Sequence, residues 1–316
     1  MILNNIQILR FFAASNVLLF HLANYSKTYN YNPKLIDFFE GWGYNGVDIF
    51  FVITGFVIYI SNRNDYPLSF IKKRFLRILP IYYFYTFIFI FIFILFPSLF
   101  RNAEINYQNI YQSFFLISTI SDNKPIINLG WTIEIEIYFT LIFFISLYFK
   151  DFKNKAIAIS IILLIFTFYS FIFIEFMFGL IIGYMYEKKL FLKYAKQFLI
   201  VGIFSLFLSK LITFDTIKLF NVRAIIYGIP SSLIIIGLAY YKNLNLKILT
   251  YLGKASYSIY LVHLFTLPAL FKLNDLLKIN FIYDDIFLLI VYFISVFAGV
   301  ISFHFVESKI LNLRKN

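Results

Sequence analysis

Residues 81–100 read IYYFYTFIFIFIFILFPSLF, and this stretch decides the fold class. It contains no charged residue, and it has the length of about 20 residues that an α-helix needs to cross the hydrocarbon core of a bilayer. The whole chain of 316 residues is 61% hydrophobic and only 14% charged, far too apolar for a soluble domain of this length. The sequence therefore predicts an all-α integral membrane protein.

Apolar stretches of this kind recur along the chain and predict about ten transmembrane helices. They lie near residues 6–25, 43–61, 78–99, 129–149, 155–172, 174–187, 197–214, 223–241, 251–271 and 285–308. No internal repeat, Gly/Ser linker or soluble appendage interrupts them, so residues 1–316 are predicted to form a single membrane-embedded domain. The loop at roughly 100–128 is long enough to hold a surface-lying or re-entrant segment.

The basic residues predict the orientation of these spans. In a soluble chain, a formal net charge of +12 would suggest a nucleic-acid partner, but Lys and Arg also collect in the cytoplasmic loops of membrane proteins. With the N-terminus inside, the alternate loops on that side carry an excess of Lys and Arg of about two to one. This bias predicts an N-in, C-in topology, and we expect no nucleic-acid partner.

The first span contains two polar residues that a lipid-facing helix would not carry. Arg10 and His21 are eleven residues apart, so they share one face of an α-helix and differ in height by roughly 16 Å. Arg10 lies near the cytoplasmic end, where it can also serve as an anchor, and His21 lies nearer the outside. Because ionisable groups inside a membrane usually face a protein interior or a site, we expect this face to be functional.

Two carboxylates are expected at the depth of His21. The second and fourth spans both enter the membrane from the outside, which places Asp48 and Glu136 near their outer ends. Either carboxylate can therefore orient the His21 imidazole. Glu134 points to a different face from Glu136, and we favour a structural role for it. In the ninth span, His263 has two roles that the sequence favours about equally: a hydrogen bond between helices, or a part in function.

A basic cluster is predicted at the cytoplasmic side, in the segment FIKKRFLRILPIYY (70–83). Arg74 and Arg77 are three residues apart, so in a helix they face one way and form a two-pronged clamp for phosphate. Pro80 is predicted to open the third span. Composition alone favours ordinary topology anchoring for these basic residues. Glu307, near the inner end of the last span, is at the right depth to orient such an arginine.

Six segments follow one another in a recognisable order. They read RFFAASNVLLFH (10–21), GVDIFFVITGF (46–56), RFLRILPIYY (74–83), WTIEIEIYF (131–139), LGKASYSIYLVH (252–263) and FVES (305–308). Together they resemble the motifs of the acyltransferase 3 family of bacterial membrane O-acyltransferases, which modify sugars of surface polysaccharides, lipopolysaccharide and related acceptors. The resemblance extends over nearly the whole chain. The chain departs from the family pattern where Thr54 replaces a serine, Ile137 an acidic residue and Ser308 an arginine.

The resemblance implies an O-acyltransferase of the bacterial inner membrane, most often an O-acetyltransferase, with acyl-CoA as co-substrate and neither a resident cofactor nor a metal. The acceptor is then a hydroxyl of a surface polysaccharide or a lipid-linked glycan. His21 suits the role of a base for this hydroxyl, or of a transient acyl carrier, because its ordinary pKa is near neutrality. We expect catalytic roles for Arg10, His21, Asp48 and Glu136, donor binding by Lys73, Arg74, Arg77 and Tyr257, and acceptor binding by Trp42 and Trp131.

Two other functional classes fit the same features. A transporter or flippase of lipid-linked sugars would also have about ten spans and buried ionisable groups along a polar path. A structural or assembly protein of the membrane would not need ionisable groups at matching depths. For Trp42 and Trp131 taken singly, interfacial anchoring is the favoured alternative to contact with a sugar ring.

Overall fold

The computed structural model describes residues 3–97, 105–149, 151–219, 222–279 and 283–313. Helices account for all of the regular secondary structure in these ranges, which confirms the predicted all-α fold class. The end of the predicted third span, at 98–99, and the start of the long loop, at 100–104, lie outside the described residues.

Fourteen α-helices make up the described part of the chain. They are α1 (Asn4–Thr28), α2 (Asn45–Asn62), α3 (Pro67–Leu95), α4 (Tyr107–Phe115), α5 (Gly130–Ser146), α6 (Phe152–Tyr169), α7 (Phe173–Glu187), α8 (Ala195–Leu208), α9 (Phe214–Leu219), α10 (Ile229–Tyr240), α11 (Lys247–Lys254), α12 (Ser256–Leu277), α13 (Asp284–Ser302) and α14 (Ser308–Leu313). Short π-helical turns precede α10 and α14, at Ala224–Gly228 and Phe303–Glu307.

The helices fall into two compact units. The first unit is built from residues 1–63 and 160–303, and it contains α1, α2 and α7 to α13. The second is built from residues 64–159 and 304–316, and it contains α3, α4, α5 and α14. Helix α6 contributes residues to both. The single domain predicted for residues 1–316 stays a prediction.

Five helical segments of the described ranges are long and apolar enough to cross a membrane, so the chain is a multi-pass membrane protein. They are Asn4–Thr28, Asn45–Asn62, Pro67–Leu95, Leu192–Leu211 and Asp284–Asn312. Large apolar side chains on α3, such as Phe87, Phe91 and Ile94, are exposed, as expected of a surface in contact with lipid. Every predicted span coincides with helix, but the count of about ten and the N-in, C-in orientation stay predictions.

The helix that contains the third span begins earlier than the predicted span. Helix α3 begins at Pro67, eleven residues before the predicted start at 78, and Pro80 lies inside it. Pro67 takes the first-turn position, where the missing N–H of proline costs no hydrogen bond. Lysine and arginine are good helix formers, so the basic segment extends the helix at its N-terminal end instead of forming a loop.

Close helix packing in the first unit places α2 against α1 and α7. A Cβ on Gly46 would lie 2.2 Å from the carbonyl oxygen of Ala13, so only glycine allows α2 to approach α1 this closely. Further along α2, a Cβ on Gly55 would lie 2.2 Å from the Phe176 carbonyl oxygen on α7. Small residues at such crossings let membrane helices pack backbone to backbone.

Candidate active site

His21 and His263 form a histidine pair in the first unit. His21 is on α1 and His263 is on α12, and their ring centroids are 5.2 Å apart with a tilt of 35° between the ring planes. His263 is completely buried, whereas His21 is partly exposed. The structure therefore brings the predicted base beside a second imidazole. Sequence reasoning had left the role of His263 open.

Asp48 is held by an arginine that the sequence did not single out. Arg223 donates from Nε to Oδ1 of Asp48 at 2.6 Å and from Nη2 to Oδ2 at 2.8 Å. The Asp48 side chain is fully buried, and the guanidinium carbon of Arg223 lies 3.9 Å from the centre of the Tyr44 ring, a cation–π contact. Both Asp48 oxygens thus bond to Arg223, and this pair replaces the predicted pairing of Asp48 with His21.

The sequence did not single out Arg223 as a site residue, because it lies at the predicted start of the eighth span, where a basic residue usually anchors the helix end. The signal that points to it is Asp48 itself. A carboxylate buried in a membrane helix needs a cationic partner, and a bidentate arginine is the strongest one available.

Glu175 is a second buried carboxylate near this pair. It lies at the start of α7 with no exposed surface, and it interacts electrostatically with both Asp48 and Arg223. Glu175 lies at the start of the predicted sixth span. A charged residue is common at such a position, so the sequence did not single it out as a site residue.

In the second unit, the structure joins two residues that the sequence placed at opposite sides of the membrane. Arg74 of α3 and Glu136 of α5 form an ion pair, with Nη2 3.4 Å from Oε1. The side chains are 9% and 25% exposed, so the pair is largely removed from solvent. The predicted separation in depth is therefore wrong, because Arg74 lies along a helix and not in a cytoplasmic loop.

The other predicted site residues of the second unit are either partly exposed or bonded to neighbouring loops and side chains. Lys73 Nζ lies 3.3 Å from Oδ2 of Asp65, and Arg77 and Trp131 are partly exposed. Glu134 is buried and accepts the backbone N–H groups of Ser118 and Thr119 at 3.3 and 2.7 Å, which fixes the preceding loop on α5. This is the structural role favoured for Glu134.

The remaining predicted residues belong to the first unit. Arg10 donates from Nη1 to Oε1 of Gln7 at 3.4 Å, and Tyr257 is partly exposed in the first turn of α12. Trp42 is 5% exposed, and its indole N–H donates to the Leu206 carbonyl oxygen at 2.9 Å while Phe207 stacks on its ring. The ring of Trp42 is thus largely covered by protein, and its contact with an acceptor stays a prediction.

Comparison with known proteins decides the family. The model of the acyltransferase domain matches residues 3–305, nearly the whole chain. The protein belongs to the acyltransferase 3 family. The exopolysaccharide production protein ExoZ of Rhizobium meliloti (strain 1021) is 26% identical to it over 264 residues, which is 73% of this chain and 78% of that relative. No solved structure matches the chain. The family resemblance of the six motifs is thereby confirmed, and the chain is a membrane acyltransferase by family.

Proposed function

We propose that this acyltransferase transfers an acyl group, most often acetyl, from cytoplasmic acyl-CoA to a hydroxyl of a cell-surface polysaccharide or a lipid-linked glycan at the bacterial inner membrane. The observation that carries the proposal is the partly exposed residue His21, beside a second imidazole, in a chain that matches the acyltransferase family from residue 3 to 305. The name of its relative ExoZ, an exopolysaccharide production protein, supports a carbohydrate acceptor.

In the proposed reaction, His21 is the general base. The acceptor hydroxyl oxygen attacks the thioester carbonyl carbon while His21 takes the hydroxyl proton. The new carbon–oxygen bond forms, the carbon–sulfur bond breaks, and His21 returns the proton to the sulfur of the leaving CoA. The products are the glycan ester and free CoA, and no further reactant is required.

The developing negative charge on the carbonyl oxygen needs a positive group nearby. Arg10 shares a helix face with His21 but differs from it in height by roughly 16 Å, so we assign it to binding of the CoA part of the donor. Asp48 contributes by holding Arg223 in a fixed orientation through its two hydrogen bonds.

The phosphates of CoA are assigned to the basic face of α3. Arg77 and Lys73 are partly exposed there, and Arg74 completes the positive face while Glu136 fixes its guanidinium. An arginine held in this way presents its remaining N–H groups in a defined direction, which suits a phosphate oxygen. In the first unit, Tyr257 is assigned to the donor.

The assay for this function supplies the purified full-length protein, in nanodiscs, with radiolabelled acetyl-CoA and a purified bacterial exopolysaccharide or lipid-linked glycan. We expect label in the glycan and an equal amount of free CoA. A transporter or flippase would leave the glycan unlabelled, and that result would contradict the proposal. Trp131, which is partly exposed, and Trp42 are the aromatic residues that we assign to contact with the sugar.

A further inference from the structure

The histidine pair contains a buried nitrogen with no partner. His263 has no exposed surface, and its Nε2 atom makes no hydrogen bond within the described part of the chain. Its other nitrogen, Nδ1, lies 3.3 Å from the carbonyl oxygen of Ile259, one helical turn earlier on α12. Buried polar atoms in native proteins are nearly always paired, so an orphan of this kind calls for a physical reason.

The contact with Ile259 determines which nitrogen of His263 carries the proton. A carbonyl oxygen can only accept a hydrogen bond, so Nδ1 must be the donor. In a neutral imidazole the second nitrogen is then an acceptor with a free lone pair. Nε2 of His263 is therefore a buried hydrogen-bond acceptor that needs a donor.

His21 is the neighbouring imidazole, with its ring centroid 5.2 Å from that of His263. At this separation, two imidazole rings turned edge to edge bring their nearest nitrogens to about 3 Å, the length of an N–H hydrogen bond. Rotation of the His21 ring about its terminal side-chain torsion closes this bond and leaves the contact between His263 Nδ1 and Ile259 in place, because such torsions have broad minima. His21 then donates from one nitrogen to His263 and keeps a lone pair on the other.

We propose that His263 is the positioning residue for His21: its Nε2 accepts the His21 N–H and thereby holds His21 in the tautomer that presents a basic nitrogen to the acceptor hydroxyl. This inference rests on the proposed function, in which His21 is the base. A carboxylate commonly occupies the orienting position in catalytic histidine arrangements. Here Asp48 bonds to Arg223, and a neutral histidine takes that position.

Solid-state NMR tests the pair without any acyl transfer. The chain contains three histidines, so the full-length His304→Gln variant, labelled with ¹⁵N-histidine in a bilayer, gives signals from His21 and His263 alone. We expect His263 to be protonated at Nδ1, and His21 to be in one tautomer. In a His263→Phe variant, which removes the acceptor, we expect His21 to show two tautomers. A His263 ring protonated at Nε2, or an unchanged His21 signal in His263→Phe, would overturn the proposal.

Two nearly isosteric amides separate positioning from packing. The glutamine amide reaches the place of Nε2, whereas the asparagine amide reaches that of Nδ1. We therefore expect His263→Gln to keep kcat within about threefold and His263→Asn to lower it about tenfold or more, both with an unchanged KM for acetyl-CoA. His304→Gln, a change at an exposed histidine, serves as the matched control with wild-type kinetics.

A double variant shows whether His263 acts through His21. If it does, His21→Ala with His263→Asn transfers acetyl at the same residual rate as His21→Ala alone. Additive losses, or equal losses in His263→Gln and His263→Asn, would refute the positioning role. If the wild-type protein labels no glycan at all, the proposed function fails, while the NMR result still decides whether the histidine pair is bonded as we propose.

Discussion

His21 and Asp48 lie on neighbouring helices but have different partners. Both oxygens of Asp48 bond to Arg223 in a site closed to solvent, so its charge is neutralised where it lies. His21 keeps exposed surface and has a second imidazole beside it. At the residue scale, we therefore propose that His21 is the group that meets a substrate and that Asp48 acts by holding Arg223.

The buried Asp48–Arg223 pair can be tested by removing one or both charges. Asp48→Asn is expected to lower the free energy of unfolding by about 3 kcal/mol, because it removes the negative charge that Arg223 contacts. Asp48→Leu combined with Arg223→Met removes both charges and is expected to restore most of that stability. Thermal unfolding in detergent measures both effects.

The same variants separate stability from function. We expect the stable double variant to transfer acetyl poorly, since neither charged group of the pair remains at the site. Full transfer by the double variant would instead make the pair purely structural. Arg63→Ala breaks an exposed pair with Glu187, 2.9 Å long, and is the control, with an expected loss of about 0.5 kcal/mol.

At the scale of elements, α3 differs most from its prediction. Its basic segment had two interpretations, a cytoplasmic anchor or a phosphate clamp, and the span itself was predicted to begin only near residue 78. Because α3 begins at Pro67, Arg74 lies on a helical face that packs on α5 and meets Glu136. Hydropathy alone cannot locate such a start, since it registers apolar length and not the first turn of a charged helix.

The Arg74–Glu136 pair predicts that two single substitutions lower the free energy of unfolding by different amounts. Arg74→Ala leaves a partly buried carboxylate without its cation, and we expect it to lower the free energy of unfolding by about 2 kcal/mol. Glu136→Gln keeps a hydrogen-bond acceptor of the same shape, so we expect a loss of about 1 kcal/mol or less. Chemical unfolding in detergent measures both, and equal losses would contradict the asymmetry.

For the whole molecule, composition was sufficient to predict the class, and pattern was sufficient to predict the helices. A chain this apolar must place its backbone in helices to satisfy its polar groups in lipid, so every predicted span coincides with helix. The partners of His21 and Asp48 were beyond prediction. His263 and Arg223 are far from them in sequence, and only the packing of α12 and of the π-helical turn before α10 brings these side chains together.

The order of the motifs predicted the family correctly, whereas the depths estimated for single residues did not all agree with the structure. The family match over residues 3–305 confirms that order as a property of the whole chain. The placement of Arg74 and Glu136 in one ion pair shows how far depth estimates along predicted spans can err, because each error in a span boundary moves every residue of that span.

The central claim is that His21 is the base in acyl transfer to a glycan. Its most direct test is the transfer of radiolabelled acetyl from acetyl-CoA to glycan by the wild-type protein and by His21→Ala, reconstituted at equal abundance in nanodiscs. We predict that the wild type labels the glycan and that His21→Ala lowers the rate by about a hundredfold or more, with unchanged binding of acetyl-CoA. Glycan labelling by His21→Ala at the wild-type rate would contradict the claim.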